Sequence, residues 1–262
     1  MITRPLLAFL LSAFSFLAAC PEKRPANELV VGMDLSYPPF ETIDPKGQPS
    51  GVSFELAKAL AEDLKRPLRI ENQPFTGLIP SLQNGRLDCI ISSMTDTPER
   101  RQSVAFSDPY LSIGLALLVG KDSAITSLSE LDQPGRTFVV RLGTTGEVWA
   151  RKNLSKATLL SLDKENAAVL EVIQGKADAF IYDQMSVWQN AQKNPDSTRA
   201  LLEPVQKESW AIALRQDSED LRIQINKFLE EYRARGGFEK LGDTFLKDQK
   251  EAFQKDGIPF YF

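Results

Sequence analysis

Histidine is missing from all 262 residues, and cysteine occurs only twice, at Cys20 and Cys89. The first absence removes the side chain that most often serves as a general base or zinc ligand. Two thiols are too few for a disulfide framework or a four-ligand structural zinc site. A metal centre and a histidine-dependent catalytic site are therefore not expected, and no cofactor is expected either. An excess of positive charge is missing as well. The 31 Lys and Arg stand against 35 Asp and Glu, for a net charge of −4, so no basic field recommends nucleic acid as a partner. Beyond the first twenty residues, no run is long and apolar enough for a transmembrane helix.

The first twenty residues stand apart from the rest. Arg4 supplies a positive charge, Leu6 to Leu17 form a short apolar segment, and Leu17-Ala18-Ala19-Cys20 closes it. Such a segment is short for a bilayer but suits a signal-peptide core, which assigns residues 1–19 to a leader. The closing LAAC resembles a bacterial lipobox, in which Cys20 is acylated and becomes the new N-terminus; a plain secretory signal with an incidental Cys is the alternative. Residues 20–27 then form the lipidated Cys and a polar, Pro-containing tether. Lipidation leaves Cys89 alone in an apolar strand pattern, as a buried small hydrophobe, and argues against a competing Cys20–Cys89 disulfide.

Downstream, apolar strand-like runs alternate with helical patterns, which predicts parallel α/β units. Leu29 to Met33 reads as a strand, and Ser53 as preceding a helix with Leu56, Leu60 and Leu64 at four-residue spacing. Leu68 to Ile70 and Leu87 to Ser92 are expected strands, the latter apolar on both faces, with a short helix over Gly77 to Gln83. Thr137 to Arg141 opens a second α/β unit, followed by a helix from near Thr144, a helix over Asn166 to Ile173 and a strand over Ala179 to Tyr182. Helices over Ser218 to Arg235 and Phe238 to Leu246 are broken at Gly236-Gly237. The last residues, 251–262, read as a tail ending in the aromatic run Pro259-Phe260-Tyr261-Phe262.

The stretch from Ile90 to Tyr110, IISSMTDTPERRQSVAFSDPY, carries the most chemistry. An apolar run ends in the hydroxyls of Ser92, Ser93 and Thr95. Thr97 then suits an N-cap, Pro98 the first helical position, and Glu99 the positive end of a helix dipole, with Arg100 in the first turn. Hydroxyls, free N–H groups and a guanidinium converge, and together they can grip a carboxylate. On the spacing alone, an ordinary strand-to-helix turn with a surface Arg fits equally well.

This stretch resembles the ligand-binding segment of the polar amino-acid-binding proteins of bacterial ABC importers, family 3 of the solute-binding proteins. Other motifs of that family follow in order: Asp34-Leu35-Ser36-Tyr37-Pro38-Pro39-Phe40, GVSFELAKA from Gly51, Leu78-Ile79-Pro80-Ser81-Leu82, Gly143-Thr144-Thr145-Gly146 and Gly175-Lys176-Ala177-Asp178-Ala179. The resemblance runs from about Glu28 to Leu246. It implies an α/β fold of the two-lobe periplasmic-binding-protein type II, with discontinuous lobes joined by a two-strand hinge. Lobe 1 would comprise residues 28–114 and 209–250, and lobe 2 residues 115–208. Leu111 to Val119 and Glu208 to Leu214 would be the crossings.

The resemblance also implies a site for a zwitterion. Arg100, Ser93, Thr95 and Thr145 would hold the carboxylate, and Asp183, which closes the ADAFIYD stretch, would hold the ammonium. Tyr37 and Phe75 would flank the ligand side chain, where core packing is the commoner fate of an aromatic. Asp34 and Arg141 map to pocket-lining positions and suit a glutamine-like side-chain amide, one group for each end. Ser53 stands where the family commonly has Asp, which weakens the case for lysine or arginine. The implied protein is a monomeric, membrane-anchored lipoprotein on the periplasmic or cell-surface side. It would capture a polar amino acid by hinge closure and pass it to an ABC permease. A ligand-sensing receptor module and a cyclohexadienyl-dehydratase-like enzyme on the same fold are the rival readings.

Overall fold

The structure, a computed structural model, describes residues 27–255 and 257–258. The expected leader, the Cys20 lipidation site and residues 259–262 lie outside the described residues.

All five residues of the first strand, β1 (Leu29–Met33), are buried. Leu29, Val31 and Met33 join one apolar cluster and Val30 another, so both faces of the strand are covered. A short ribbon, β2 (Thr42–Ile43) and β3 (Pro49–Ser50), leads into α1 (Val52–Asp63). Leu56 and Leu60, with Ala57 and Ala61, form its buried stripe. The helix starts one residue before Ser53, not after it. Ser53 is buried in the first turn and donates its hydroxyl to Glu41 Oε2 at 2.6 Å.

Next come β4 (Leu68–Asn72), α2 (Phe75–Gln83), β5 (Cys89–Ile90), the single turn α3 (Pro98–Arg101) and β6 (Ala105–Phe106). The β5 ladder is shorter than the expected Leu87–Ser92 span. Ser93 adopts a left-handed backbone (φ 49°), which bends the chain out of the sheet just past the strand. Cys89 is fully buried on β5, and burial raises its thiol pKa far above the ordinary value.

The chain crosses to the second lobe on β7 (Leu111–Gly120). There follow β8 (Thr137–Arg141), α4 (Thr145–Asn153), β9 (Thr158–Leu162), α5 (Glu165–Ile173), β10 (Ala179–Asp183) and α6 (Gln184–Lys193). It returns on β11 (Thr198–Trp210), and β12 (Ala213–Leu214) rejoins the first sheet. The first sheet has the order β4-β1-β5-β12-β6, and the second β11-β7-β10-β8-β9. In the second sheet β8 runs parallel to β9 and β10, while β7 is antiparallel to β10 and β11. The expected two-lobe α/β architecture is present, and the long paired strands β7 and β11 connect the lobes. Where β11 ends, Ala211 N donates to Met94 O and Asp96 N to Ser209 O, tying the hinge to the first lobe.

The C-terminal segment departs from expectation. After α7 (Glu219–Ala234) and α8 (Gly237–Phe245) comes a further helix, α9 (Lys247–Lys255), where a tail was expected from residue 251. Its sequence, KDQKEAFQK, holds one large apolar residue, so periodicity had almost nothing to register. That residue, Phe253, is buried and meets Trp188 of α6 edge-on, with ring centroids 6.3 Å apart. The C-terminal segment thereby reaches from lobe 1 back to lobe 2. Truncating a buried phenylalanine costs about 3–5 kcal/mol, so Phe253→Ala should lower stability in urea unfolding by that order. An unchanged midpoint would show that α9 contributes no packing between the lobes.

Candidate ligand-binding site at the lobe junction

The nine residues singled out from the sequence meet at one cavity of about 40 Å³ between the lobes. Asp34, Tyr37, Phe75, Ser93, Thr95 and Arg100 come from lobe 1; Arg141, Thr145 and Asp183 come from lobe 2. Glu41, Tyr182, Glu208 and Trp210, which were not singled out, also line it.

Most of these residues touch across the gap. Arg141, at the end of β8, is buried and forms an ion pair with the Asp34 carboxylate. It also donates to Tyr182 Oη at 3.3 Å and to Asp163 O at 3.2 Å. Asp34 is further held by the Ser36 hydroxyl at 2.6 Å and Phe75 N at 3.0 Å. The two expected partners of a side-chain amide are therefore bonded to each other.

The second crossing joins Tyr37 to Asp183, whose Oδ1 accepts the phenol proton at 2.7 Å. The same oxygen accepts Ser186 N at 3.0 Å and so caps α6. Asp183 is thus both a helix cap and a cavity wall. Burial, opposed by those two hydrogen bonds, raises its pKa to about 7. Tyr37 stacks on Phe40 at 5.4 Å and meets Tyr182 edge-on at 5.9 Å.

The third crossing involves Arg100. Thr97 caps α3 as expected, its Oγ1 accepting Arg100 N at 3.2 Å. The guanidinium donates to Thr95 O at 2.7 Å and, across the gap, to Gly143 O at 3.2 Å. It lies 5.4 Å from the centre of the Phe75 ring, and Arg141 lies 5.8 Å from the same ring. Phe75 therefore serves as a floor under two cations. Desolvation lowers the Arg100 pKa to about 10, which leaves it charged at neutral pH. The Gly143-Thr144-Thr145-Gly146 turn needs its glycines. Gly143 has φ 75°, and a Cβ there would come within 2.8 Å of Thr76 across the gap, while a Cβ on Gly146 would meet Ile181 O at 2.8 Å.

The hydroxyls depart from expectation. Thr95 Oγ1 and Thr145 Oγ1 each donate at 3.0 Å to Glu208 Oε2, and Ser93 Oγ donates at 3.0 Å to Glu41 Oε2. All three are committed to carboxyls of the protein in this structure. Glu41 also accepts from Ser53 and, at 3.2 Å, from Ser92. Burial outweighs these bonds and raises the Glu41 pKa to about 8. Burial raises the Glu208 pKa too. Glu41 directly follows the DLSYPPF motif, which is the one signal that pointed its way. Glu208 had only its place on an expected crossing strand.

The bacterial extracellular solute-binding proteins, family 3, match residues 29–248. ABC transporter arginine-binding protein 1 of Escherichia coli (strain K12) is 29% identical over 244 residues, covering 92% of this chain and 97% of its own. A mutant of ArgBP from T. maritima superposes with a TM-score of 0.79 at 36% identity, over 84% of this chain and 96% of that one. An ancestral arginine-binding protein bound to glutamine gives 0.78 at 33% identity, over 84% and 98%.

The buried acids set a pH dependence whose sign is fixed. Glu41 and Asp183 hold protons in the folded state at pH values where the unfolded chain has released them. Stability therefore falls as pH rises from their ordinary range, near 4, through about 7 to 8. Thermal midpoints should decline between about pH 4 and pH 8, and Glu41→Gln, which keeps an acceptor oxygen but cannot ionise, should flatten the decline. A level wild-type profile over that range would contradict the burial of these carboxyls.

Proposed function

This chain belongs to the bacterial extracellular solute-binding proteins of family 3, and on that footing we propose that it captures a free polar amino acid between its lobes and hands it to an ABC permease. The observation that carries the proposal is a single cavity walled by Arg100 from one lobe and Asp183 from the other. A free amino acid brings a carboxylate and an ammonium on one carbon, and removing both from water is costly unless each meets an opposite charge. Only the closed arrangement of lobes supplies both, so ligand and closure favour each other about the β7–β11 hinge.

At the side-chain end the Asp34–Arg141 pair suits a carboxamide. Its N–H₂ can donate to Asp34 and its oxygen can accept from Arg141, replacing the bond those residues make to each other. A glutamine-like ligand follows, and the ancestral relative bound to glutamine supports it. A cationic side chain is the second reading. It is favoured by the cavity carboxyls Asp34, Glu41 and Asp183 against two guanidinia, and by relatives named for arginine. We take the protein to be a binder rather than a dehydratase, because each of these carboxyls is held by hydrogen-bond or ion-pair partners within the protein. Incubation with prephenate tests this. Genomic neighbourhood separates importer from sensor, and a shift of Cys20→Ser protein from the membrane to the soluble fraction would support the lipid anchor.

A thermal-shift screen against the twenty amino acids, followed by calorimetry on the best, identifies the ligand. Arg100→Ala should then weaken binding by about 2–5 kcal/mol, the order found when one partner of a buried charge pair is removed. A loss smaller than about tenfold (1.4 kcal/mol) would exclude Arg100 as the carboxylate anchor.

A further inference from the structure

Glu208 belongs to the hinge rather than to either gripping wall. It lies on β11 opposite Ile113 of β7, two residues before Trp210. The residue is only 7% exposed. One oxygen, Oε2, accepts Thr95 Oγ1 and Thr145 Oγ1, both at 3.0 Å, and the other accepts Gln206 Nε2 at 3.0 Å. Thr95 belongs to lobe 1, in the segment leading to α3. Thr145 belongs to lobe 2, as the first residue of α4. A single atom rooted in the connecting strand therefore holds one hydroxyl from each lobe. A rotation of the lobes about β7 and β11 that carried those hydroxyls apart would leave no single atom 3.0 Å from both. At least one of the two bonds would then break. Bonds to a carboxylate are stronger than neutral ones, and they lie beside the Arg100–Gly143 contact that closes the same seam.

We propose that Glu208 is a positioning residue for closure: it clips Thr95 of lobe 1 and Thr145 of lobe 2 to the hinge, and so sets the balance between open and closed forms without itself holding the ligand. The proposal deepens the hinge-closure reading and rests on it. It separates the acceptor geometry of Glu208 from its charge. Glutamine at this position keeps a carbonyl oxygen able to accept from both threonines, whereas alanine keeps none. When only part of a population is competent to close, apparent affinity falls in proportion.

Small-angle X-ray scattering reads lobe separation directly, here for the full chain titrated with an equimolar mixture of the twenty amino acids. Wild type should become compact as the mixture is added. Glu208→Ala should need at least about tenfold more for half-compaction, the loss of roughly one net hydrogen bond to a charged group. Glu208→Gln should stay within about threefold of wild type, and Thr145→Val, which lacks one of the two bonds, should fall between. Circular dichroism confirms folding, and if Glu208→Ala does not fold, Thr145→Val decides. An unmoved midpoint in a folded Glu208→Ala, or in Thr145→Val standing in for it, overturns the clip. So does Glu208→Gln opening as far as Glu208→Ala, since charge rather than the acceptor would then be responsible. Either result leaves the amino-acid reading intact if wild type still compacts. A wild type compact with or without the mixture, beside a Glu208→Ala that is open in both, keeps the clip and removes the amino-acid reading. A wild type open throughout removes both.

Discussion

Charged side chains on one lobe find their partners on the other, and the rest of the site is organised around that constraint. Arg141 reaches from β8 to Asp34, Tyr37 reaches Asp183, and Arg100 reaches the Gly143 carbonyl. Burying any of these groups alone would cost several kcal/mol. The closed seam is tolerable because each has a counterpart brought by the opposite wall. The same desolvation that makes pairing obligatory leaves Glu41 and Asp183 holding protons well above the usual carboxylate range. On the proposed function, a guest of matching charge offers such groups a partner that water no longer provides.

The fold delivers these groups by a simple rule: open α/β sheets place ligands beyond the carboxyl ends of their strands. Asp34 follows β1, Ser92 and Ser93 follow β5, Arg141 ends β8 and Asp183 ends β10. The two sheets point these ends at each other, and β7 and β11 hold them there. The tightness of the approach shows at Gly143, where a methyl group would meet Thr76 of the facing lobe. At Ser93 a left-handed backbone turns the hydroxyl onto Glu41. An uncommon conformation in a non-glycine residue persists where its surroundings hold it in place, and here a buried carboxyl does so.

The parts of this structure that were legible in the sequence are those governed by neighbours along the chain. The Thr97–Pro98–Glu99 helix start, the Leu56–Leu60 stripe and the break at Gly236 follow from capping, periodicity and backbone preference, and they lie where those rules put them. The meeting of nine residues in one cavity came through resemblance, because no local rule brings position 34 to position 141. Bonding between those residues was not legible at all. The sequence shows that Thr95 and Thr145 are hydroxyls but not that Glu208 takes both, since that choice depends on a strand more than sixty residues further along than Thr145. Likewise only tertiary structure shows the Asp183 side chain capping α6 while it faces Tyr37. The last helix was missed because a single phenylalanine carries its packing.

On the proposed function, two walls of opposite charge receive the two poles of one amino acid. This claim is tested most directly by calorimetry with three forms of the amino acid that the protein binds: the free compound, its methyl ester and its N-acetyl derivative. The ester lacks the carboxylate and the N-acetyl form lacks the ammonium, so each leaves one buried charge of the site without its partner. Both should bind at least about a hundredfold more weakly than the free amino acid. Either derivative binding as tightly as the free compound would contradict the claim.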